Sequence, residues 1–409
     1  MNAKISALLF SCLTFSAAGW AADHAEHKPR DMSASWAAAL ARAPLAVSVA
    51  FDAEGGVWRA AVSAGHVTVS HSGDKGSTWG APVMVNPQAE FVAAEGENRP
   101  KIAVARNGNI YVSWTRSSET PYAGDIRFSR STDGGQTFSA PLTVNDNLDP
   151  ITHRFEAMGI NSQGQVYLAW LDRRDAAAAK QRGKKFTGLS VYYAVSDDEG
   201  LSFGTNKKAA EHSCECCRVA IAIDTDGAPV IAWRHIFGKN TRDHALLRLD
   251  GKSQPVRLSR DNWELDACPH HGPALSIADD GVYHAVWFNN AEQRHGLFYA
   301  NSANRGRTFP APLNFGNFNR QAAHPHVLSL GRQVVIVWKE FDGETTGILR
   351  MNSADGGRTW TAPVRIASTA GPSDHPLLAG DGASAYLSWN SVAEGHRVIA
   401  IPLTREQAR

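Results

Sequence analysis

A short β-hairpin pattern recurs seven times along this chain and constrains its fold more than any other feature. Each copy is a turn containing Gly, Asp or Asn, followed by alternating apolar residues that end in Trp in six copies. The copies are Gly56-Val-Trp-Arg-Ala-Ala-Val62, Asn109-Ile-Tyr-Val-Ser-Trp114, Gln165-Val-Tyr-Leu-Ala-Trp170, Ala228-Pro-Val-Ile-Ala-Trp233, Val282-Tyr-His-Ala-Val-Trp287, Gln333-Val-Val-Ile-Val-Trp338 and Ser384-Ala-Tyr-Leu-Ser-Trp389. The first copy carries Ala61 in place of Trp. The six tryptophans are 56, 63, 54, 51 and 51 residues apart. A short apolar stretch precedes each turn, and a third strand follows each Trp, as in Asp125-Ile-Arg-Phe-Ser129 and Gly296-Leu-Phe-Tyr-Ala300. A fourth begins with Ala81-Pro82, Ala140-Pro141, Ala311-Pro312 or Ala362-Pro363; proline there costs no ladder bond if the strand is an edge.

Four short strands per ~50 residues, alternating with period two, predict an all-β fold, a β-propeller of four-stranded antiparallel blades. One blade cannot bury both of its faces alone; stacked blades cover one another, and closing the ring removes the exposed ends. Seven repeats predict seven blades, or six if the first copy merges with the last. The last copy has no clear fourth strand after 398–403, so the closing blade is expected to be short or completed from the N-terminus.

Residues 1–21 read as a signal peptide: Lys4 precedes an apolar stretch over 5–19 that is too short to span a bilayer, and Gly19-Trp-Ala21 places small residues where a signal peptidase reads. A tail (22–43) and a single propeller domain (44–403) would follow, in a periplasmic or secreted protein without a membrane span. The 41 basic and 40 acidic residues leave a net charge of +1, which gives no electrostatic reason to expect nucleic acid as a partner.

A second motif falls between the third and fourth strands: Ser72-Gly-Asp-Lys-Gly-Ser-Thr-Trp79, Ser131-Thr-Asp-Gly-Gly-Gln-Thr-Phe138, Ser196-Asp-Asp-Glu-Gly-Leu-Ser-Phe203, Ser302-Ala-Asn-Arg-Gly-Arg-Thr-Phe309 and Ser353-Ala-Asp-Gly-Gly-Arg-Thr-Trp360. Asp can bond nearby N–H groups, Gly takes a positive φ, and the aromatic plugs the blade. These copies resemble the Asp-box (BNR) repeats of the sialidase-like propeller superfamily, over about residues 45–403. The resemblance implies that the boxes are structural and lie away from the ligand-binding face.

The innermost strand of each blade starts at one end of the central channel, so residues at the seven starts converge. The starts are Ala43-Pro44, Asn98-Arg-Pro100, His153-Arg-Phe155, Cys214-Glu-Cys-Cys-Arg218, Cys268-Pro-His-His271, His324-Pro-His326 and Asp374-His-Pro376. Six of them present His, Cys or Arg. Cys214, Cys216, Cys217 and Cys268, with His270, His271, His324 and His326, form a soft to borderline ligand set, suited to copper as cofactor or to zinc. In an extended strand Cys217 would face away from Cys214 and Cys216, so one ion can take all three only if the segment is looped. The alternative is a pair of structural disulfides in a non-catalytic binding propeller.

The sialidase resemblance implies a different site: three arginines on a substrate carboxylate, a Tyr nucleophile activated by Glu, and an Asp acid/base. Arg99, Arg154 and Arg218 occupy equivalent starts and could clamp a small acidic ligand, with His153 and His375 beside them. Glu156, Asp172 and Asp175 are nearby carboxylates, and Tyr299 is a candidate nucleophile. The chain departs from that pattern: no Phe/Tyr-Arg-Ile-Pro motif precedes the first box, and Tyr299 falls in a third strand. An enzyme here would be a sialidase-type glycoside hydrolase acting on an acidic sugar, or a copper-dependent oxidoreductase. Metal binding at the channel mouth is the leading expectation.

Overall fold

The computed structural model describes residues 44–403; the expected signal peptide and tail lie outside the described residues. The first sheet contains β1 (Ser48–Phe51), β2 (Val57–Ser63), β3 (His66–Ser72) and β4 (Val83–Met84), the second β5 (Lys101–Val104), β6 (Ile110–Ser117), β7 (Gly124–Ser131) and β8 (Leu142–Thr143). β9 (His153–Ile160), β10 (Val166–Asp172), β11 (Leu189–Ser196) and β12 (Lys207–Ser213) follow, then β13 (Ala220–Ile223), β14 (Pro229–Phe237), β15 (Thr241–Arg248) and β16 (Val256–Arg257). Two further four-stranded sheets are β17 (Ala274–Ile277), β18 (Tyr283–Ala291), β19 (Arg294–Ser302), β20 (Leu313–Phe315), and β21 (Ala323–Leu330), β22 (Gln333–Phe341), β23 (Thr346–Ser353), β24 (Val364–Thr369). The last contains β25 (Leu377–Gly380), β26 (Ala385–Ser391) and β27 (Gly395–Ile401), three strands among the described residues.

All pairings between neighbouring strands are antiparallel, as short turns between alternating segments require. The third and fourth groups differ from the expectation of separate sheets. A single pair, Ser213 with His235, links β12 to β14 and merges them into one eight-stranded sheet. The cause is local: the cysteine-bearing segment leaving β12 lies against β14, where the Cys214 N–H donates to the Arg234 carbonyl at 2.8 Å.

The first strands β1, β5, β9, β13, β17, β21 and β25 contact one another in turn, and β25 contacts β1. The last sheet also touches the first through Lys75 and Asp381, whose Nζ–Oδ2 distance is 3.0 Å. A Cβ on Gly76 would fall 2.8 Å from Val398, so only glycine permits that approach, and its φ of +88° favours glycine as well.

Stacking of the sheets explains the tryptophan repeat. Trp114, Trp170, Trp233, Trp287, Trp338 and Trp389 all lie on the second strand of a sheet and are fully buried. Each packs against the preceding sheet: Trp170 with Tyr111 and Phe128, Trp287 with Val230 and Leu246, Trp389 with Val335 and Ile348. Five indole N–H groups are satisfied, for example by Glu90 (2.8 Å), Asp172 (2.9 Å) and Asp261 (2.7 Å). Trp233, beside the cysteine segment, has no such partner.

The five Ser-x-Asp-x-Gly-x-Thr segments share one hydrogen-bond pattern. In the second, Ser131 Oγ donates to Asp133 Oδ1 (2.7 Å), Gly135 N to Ser131 Oγ (2.9 Å), Thr137 N to Asp133 Oδ1 (3.0 Å) and Thr137 Oγ1 to Asp133 Oδ2 (2.6 Å). Asn304 reproduces the pattern without charge, donating Nδ2 to Thr308 Oγ1. The boxes follow third strands, which run parallel to the first strands, so they sit at the end opposite the first-strand starts. The hydroxyl of Thr137, then the Thr137 N–H, hold the Asp133 carboxyl down to about 2, and the Asp74 and Asp198 boxes do the same. These bonds support the fold fully above the ordinary carboxylate value of ~3.9 and are lost as pH falls through about 2. Carbon-13 titration should give an Asp133 midpoint near 2 that rises in Thr137→Val; an ordinary midpoint in the native protein would contradict this.

An unexpected helix, α1 (Arg174–Gln181), follows β10. Its four alanines favour helix, and Asp175 in the first turn and Lys180 in the last suit the dipole.

Candidate metal centre

The segment between β12 and β13 is a turn, not a strand. His212 takes a left-handed φ of 60° just before it, and the chain then folds back so that three sulfurs face one point. The Sγ–Sγ distances are 3.9 Å for Cys214–Cys216, 3.9 Å for Cys216–Cys217 and 3.8 Å for Cys217–Cys214. All three residues are buried, at 0, 5 and 1% exposure. Among the described residues they are the one group of three His, Cys, Asp or Glu whose ligand atoms converge within 4.8 Å. Cys268 is exposed and lies beside Cys216, close enough for each thiol to shift the other's acidity. Among the described residues no disulfide joins these four cysteines.

The sulfurs differ electrostatically. Hydrogen bonds from Cys216 and Cys217, and then the charge of Arg242, hold Cys214 well below the ordinary thiol value. Arg242 Nη1 donates to Cys214 Sγ at 3.0 Å. Burial pushes Cys217 up, and its bonds to Cys214 and Cys217 push Cys216 up. A thiophilic cation that bound the three sulfurs would displace the thiol protons they carry.

The surroundings of the cluster are organised by residues that the repeat pattern does not mark. Buried Arg234 donates to the carbonyls of Arg242 (2.8 Å), His271 (2.8 Å) and Phe288 (2.9 Å), joining β14 to the loop that carries Cys268. Glu97, from the segment before β5, crosses to the same two loops. Its carboxylate accepts from Arg218 N (3.1 Å), next to Cys217, and from Gly272 N (2.8 Å), four residues past Cys268. Burial alone would raise Glu97, but Arg218, followed by His324, holds it well below the usual carboxylate range. Glu97→Gln would set an amide NH2 against one of those N–H donors. We expect it to weaken metal binding about tenfold without changing stoichiometry, as losses in the supporting shell of a metal site do. Competition titration against a chelator checks this; unchanged affinity would contradict it.

The histidines lie outside the sulfur group. His271, His324 and His375 form a stack with Phe288: ring centroids are 4.1 Å apart for His271–Phe288, 4.3 Å for His271–His324 and 3.4 Å for His324–His375. Among the described residues no three of these histidines bring ligand nitrogens together as the three cysteines bring their sulfurs. Burial lowers His324 to about 4 and His326 to about 3. His326 Nδ1 accepts from Leu378 N at 3.3 Å, and His270 is exposed. His153 is buried, with Nδ1 2.8 Å from the Gly124 carbonyl.

The three arginines already have partners. Arg99 makes a two-pronged contact with Asp374, both bonds 2.6 Å, with both side chains 4% exposed. Arg154 pairs with Glu95 at 2.7 Å. Arg218 approaches Glu97 (3.5 Å) and donates to the Pro273 and Pro325 carbonyls. Tyr299 is buried in the core between the β17–β20 and β21–β24 sheets, its hydroxyl 2.8 Å from His284 Nδ1. Glu156 accepts from Thr115 (2.8 Å), Asp172 from Trp170 and Arg174, and Asp175 from Ser190 and Tyr192.

No protein-family model and no curated protein matches the sequence. Solved structures do resemble the fold. A lectin from Burkholderia pseudomallei, BP39L, is 10% identical over 88% of this chain and 100% of its own, with a TM-score of 0.54. An ulvanlyase, a polysaccharide lyase, is 9% identical over 88% of this chain and 93% of its own, with a TM-score of 0.53. A Hadza microbial sialidase is 14% identical over 82% of this chain and 73% of its own, with a TM-score of 0.48. At such identities the likeness concerns the fold. No helix among the described residues is long and apolar enough to cross a membrane.

Proposed function

We propose that this chain is an exported, seven-bladed propeller that binds one thiophilic metal ion, copper in its cuprous state, through Cys214, Cys216 and Cys217, with Cys268 as a fourth, outer ligand. The observation that carries the reading is the buried triangle of sulfurs with edges of 3.8–3.9 Å. The centre of that triangle is about 2.2 Å from each sulfur, a bonding distance close to the ~2.3 Å of zinc–thiolate bonds. An ion in the plane of three sulfurs suits the low coordination number of a soft monovalent cation, and thiolates select such cations. The blade count rests on seven repeats and on the circuit of first-strand contacts. Residues 1–21 supply the argument for export.

The arginine-clamp reading is less well supported, because a substrate carboxylate would have to displace Asp374, Glu95 or Glu97 from guanidinium groups they already occupy. Elemental analysis of protein purified anaerobically tests the metal reading. One copper per chain supports it, one zinc per chain keeps the site but changes the ion, and metal-free protein with no free thiols overturns it in favour of disulfides.

A further inference from the structure

A cavity of about 310 Å³ opens beside the cysteine cluster, lined by Thr187, Glu215, Lys239, Asn240, Arg242 and Asp266, among others. Glu215 separates Cys214 from Cys216, Asp266 precedes Cys268 by two residues, and Arg242 bonds Cys214 Sγ. The wall of the cavity is thus built from the two cysteine-bearing loops and the arginine that contacts the cluster. A structural thiolate site is closed, whereas this one combines three buried sulfurs with one exposed sulfur, that of Cys268, two residues along the chain from Asp266 in the cavity wall.

We infer that the bound metal is exchangeable cargo, taken up and handed over through this cavity to a small thiol ligand; this rests on the metal-binding reading above. Exchange proceeds by substitution at the ion. The incoming thiol enters the cavity, loses its proton and bonds the metal. The Cys268–metal bond breaks, and the Cys268 sulfur takes up a proton. The charge and oxidation state of the metal do not change, so no oxidant or reductant is needed. The buried triangle retains the ion until further thiols replace its sulfurs in the same way. The lining of two carboxylates, one lysine and one arginine suits a zwitterionic thiol of amino-acid size, with its ammonium toward Glu215 and Asp266 and its carboxylate toward Lys239.

The test uses full-length protein loaded with Cu(I) under anaerobic conditions and free cysteine as the acceptor. Metal transfer is followed by loss of thiolate-to-metal absorbance. In the native protein the rate should rise with cysteine concentration, and 3-mercaptopropionate, which lacks the ammonium, should be several-fold slower. Asn240→Trp and Thr187→Trp, which fill the cavity without touching a sulfur, should slow transfer tenfold or more while leaving stoichiometry and absorbance unchanged. Transfer that is independent of acceptor concentration, or equally fast in both tryptophan variants that still load one metal, would overturn the inference. Failure of the native protein to load metal is a separate outcome and overturns the binding reading itself.

Discussion

Cys217→Ser should reduce bound metal from about one ion per chain to less than a tenth of that, while Cys268→Ser should keep most of it. Cys217 is buried and forms two edges of the sulfur triangle, at 3.9 and 3.8 Å. A serine there leaves two sulfurs and a hard, neutral hydroxyl, a poor set for a soft cation. Cys268 lies outside the triangle, so its loss leaves the buried three in place. Metal content after dialysis, with far-ultraviolet circular dichroism to confirm folding, reads both variants. Equal loss in the two would contradict the division into an inner triangle and an outer ligand.

The second large effect concerns the contact between the last sheet and the first two. Asp374 belongs to the segment before β25, yet it holds parts of two other sheets. Its carboxylate takes both prongs of Arg99 and the Val47 N–H at 3.1 Å, and its carbonyl accepts from Trp389 Nε1 at 3.0 Å. Asp374→Ala leaves the Arg99 guanidinium buried without a counter-charge, which costs about 3–5 kcal/mol. We expect the urea midpoint to fall accordingly. The double variant Arg99→Met with Asp374→Leu should recover much of the loss, since replacing both partners by apolar groups removes the stranded charge. A loss below about 1 kcal/mol for Asp374→Ala would show that the seam is held by packing rather than by this pair.

Much of the sheet arrangement was legible because the repeat prints the same local requirements again and again. Alternation marks each strand, a buried Trp marks six of the seven second strands, and Ser, Asp, Gly and Thr at fixed offsets mark the box turns. The cysteines were legible as a cluster, and the condition set by strand geometry, that Cys214–Cys217 must be looped, is met by the turn after His212. The merger of two sheets through Ser213 and His235 was not legible, because it depends on how that loop settles on β14. Glu97, Arg234 and Arg242 escaped notice for a similar reason. Nothing in Glu95-Gly-Glu97 or Thr241-Arg242 announces a partner more than a hundred residues away, as for Glu97 with Gly272, or a sulfur across a turn, as for Arg242 with Cys214. Equivalent positions at the strand starts do bring His271, His324 and His375 together, as a stack of rings beside the sulfur group rather than as part of it. Helix α1 was missed because its eight residues are too few to show a periodic pattern.

The central claim, that Cys214, Cys216 and Cys217 hold a metal ion, is tested most directly by elemental analysis combined with a thiol count on the native protein, purified anaerobically from the exported fraction. The account predicts one copper per chain, with four titratable thiols appearing once a chelator has removed it. Protein that carries no metal and shows no free thiols after denaturation would contradict it and make the cysteines structural disulfides.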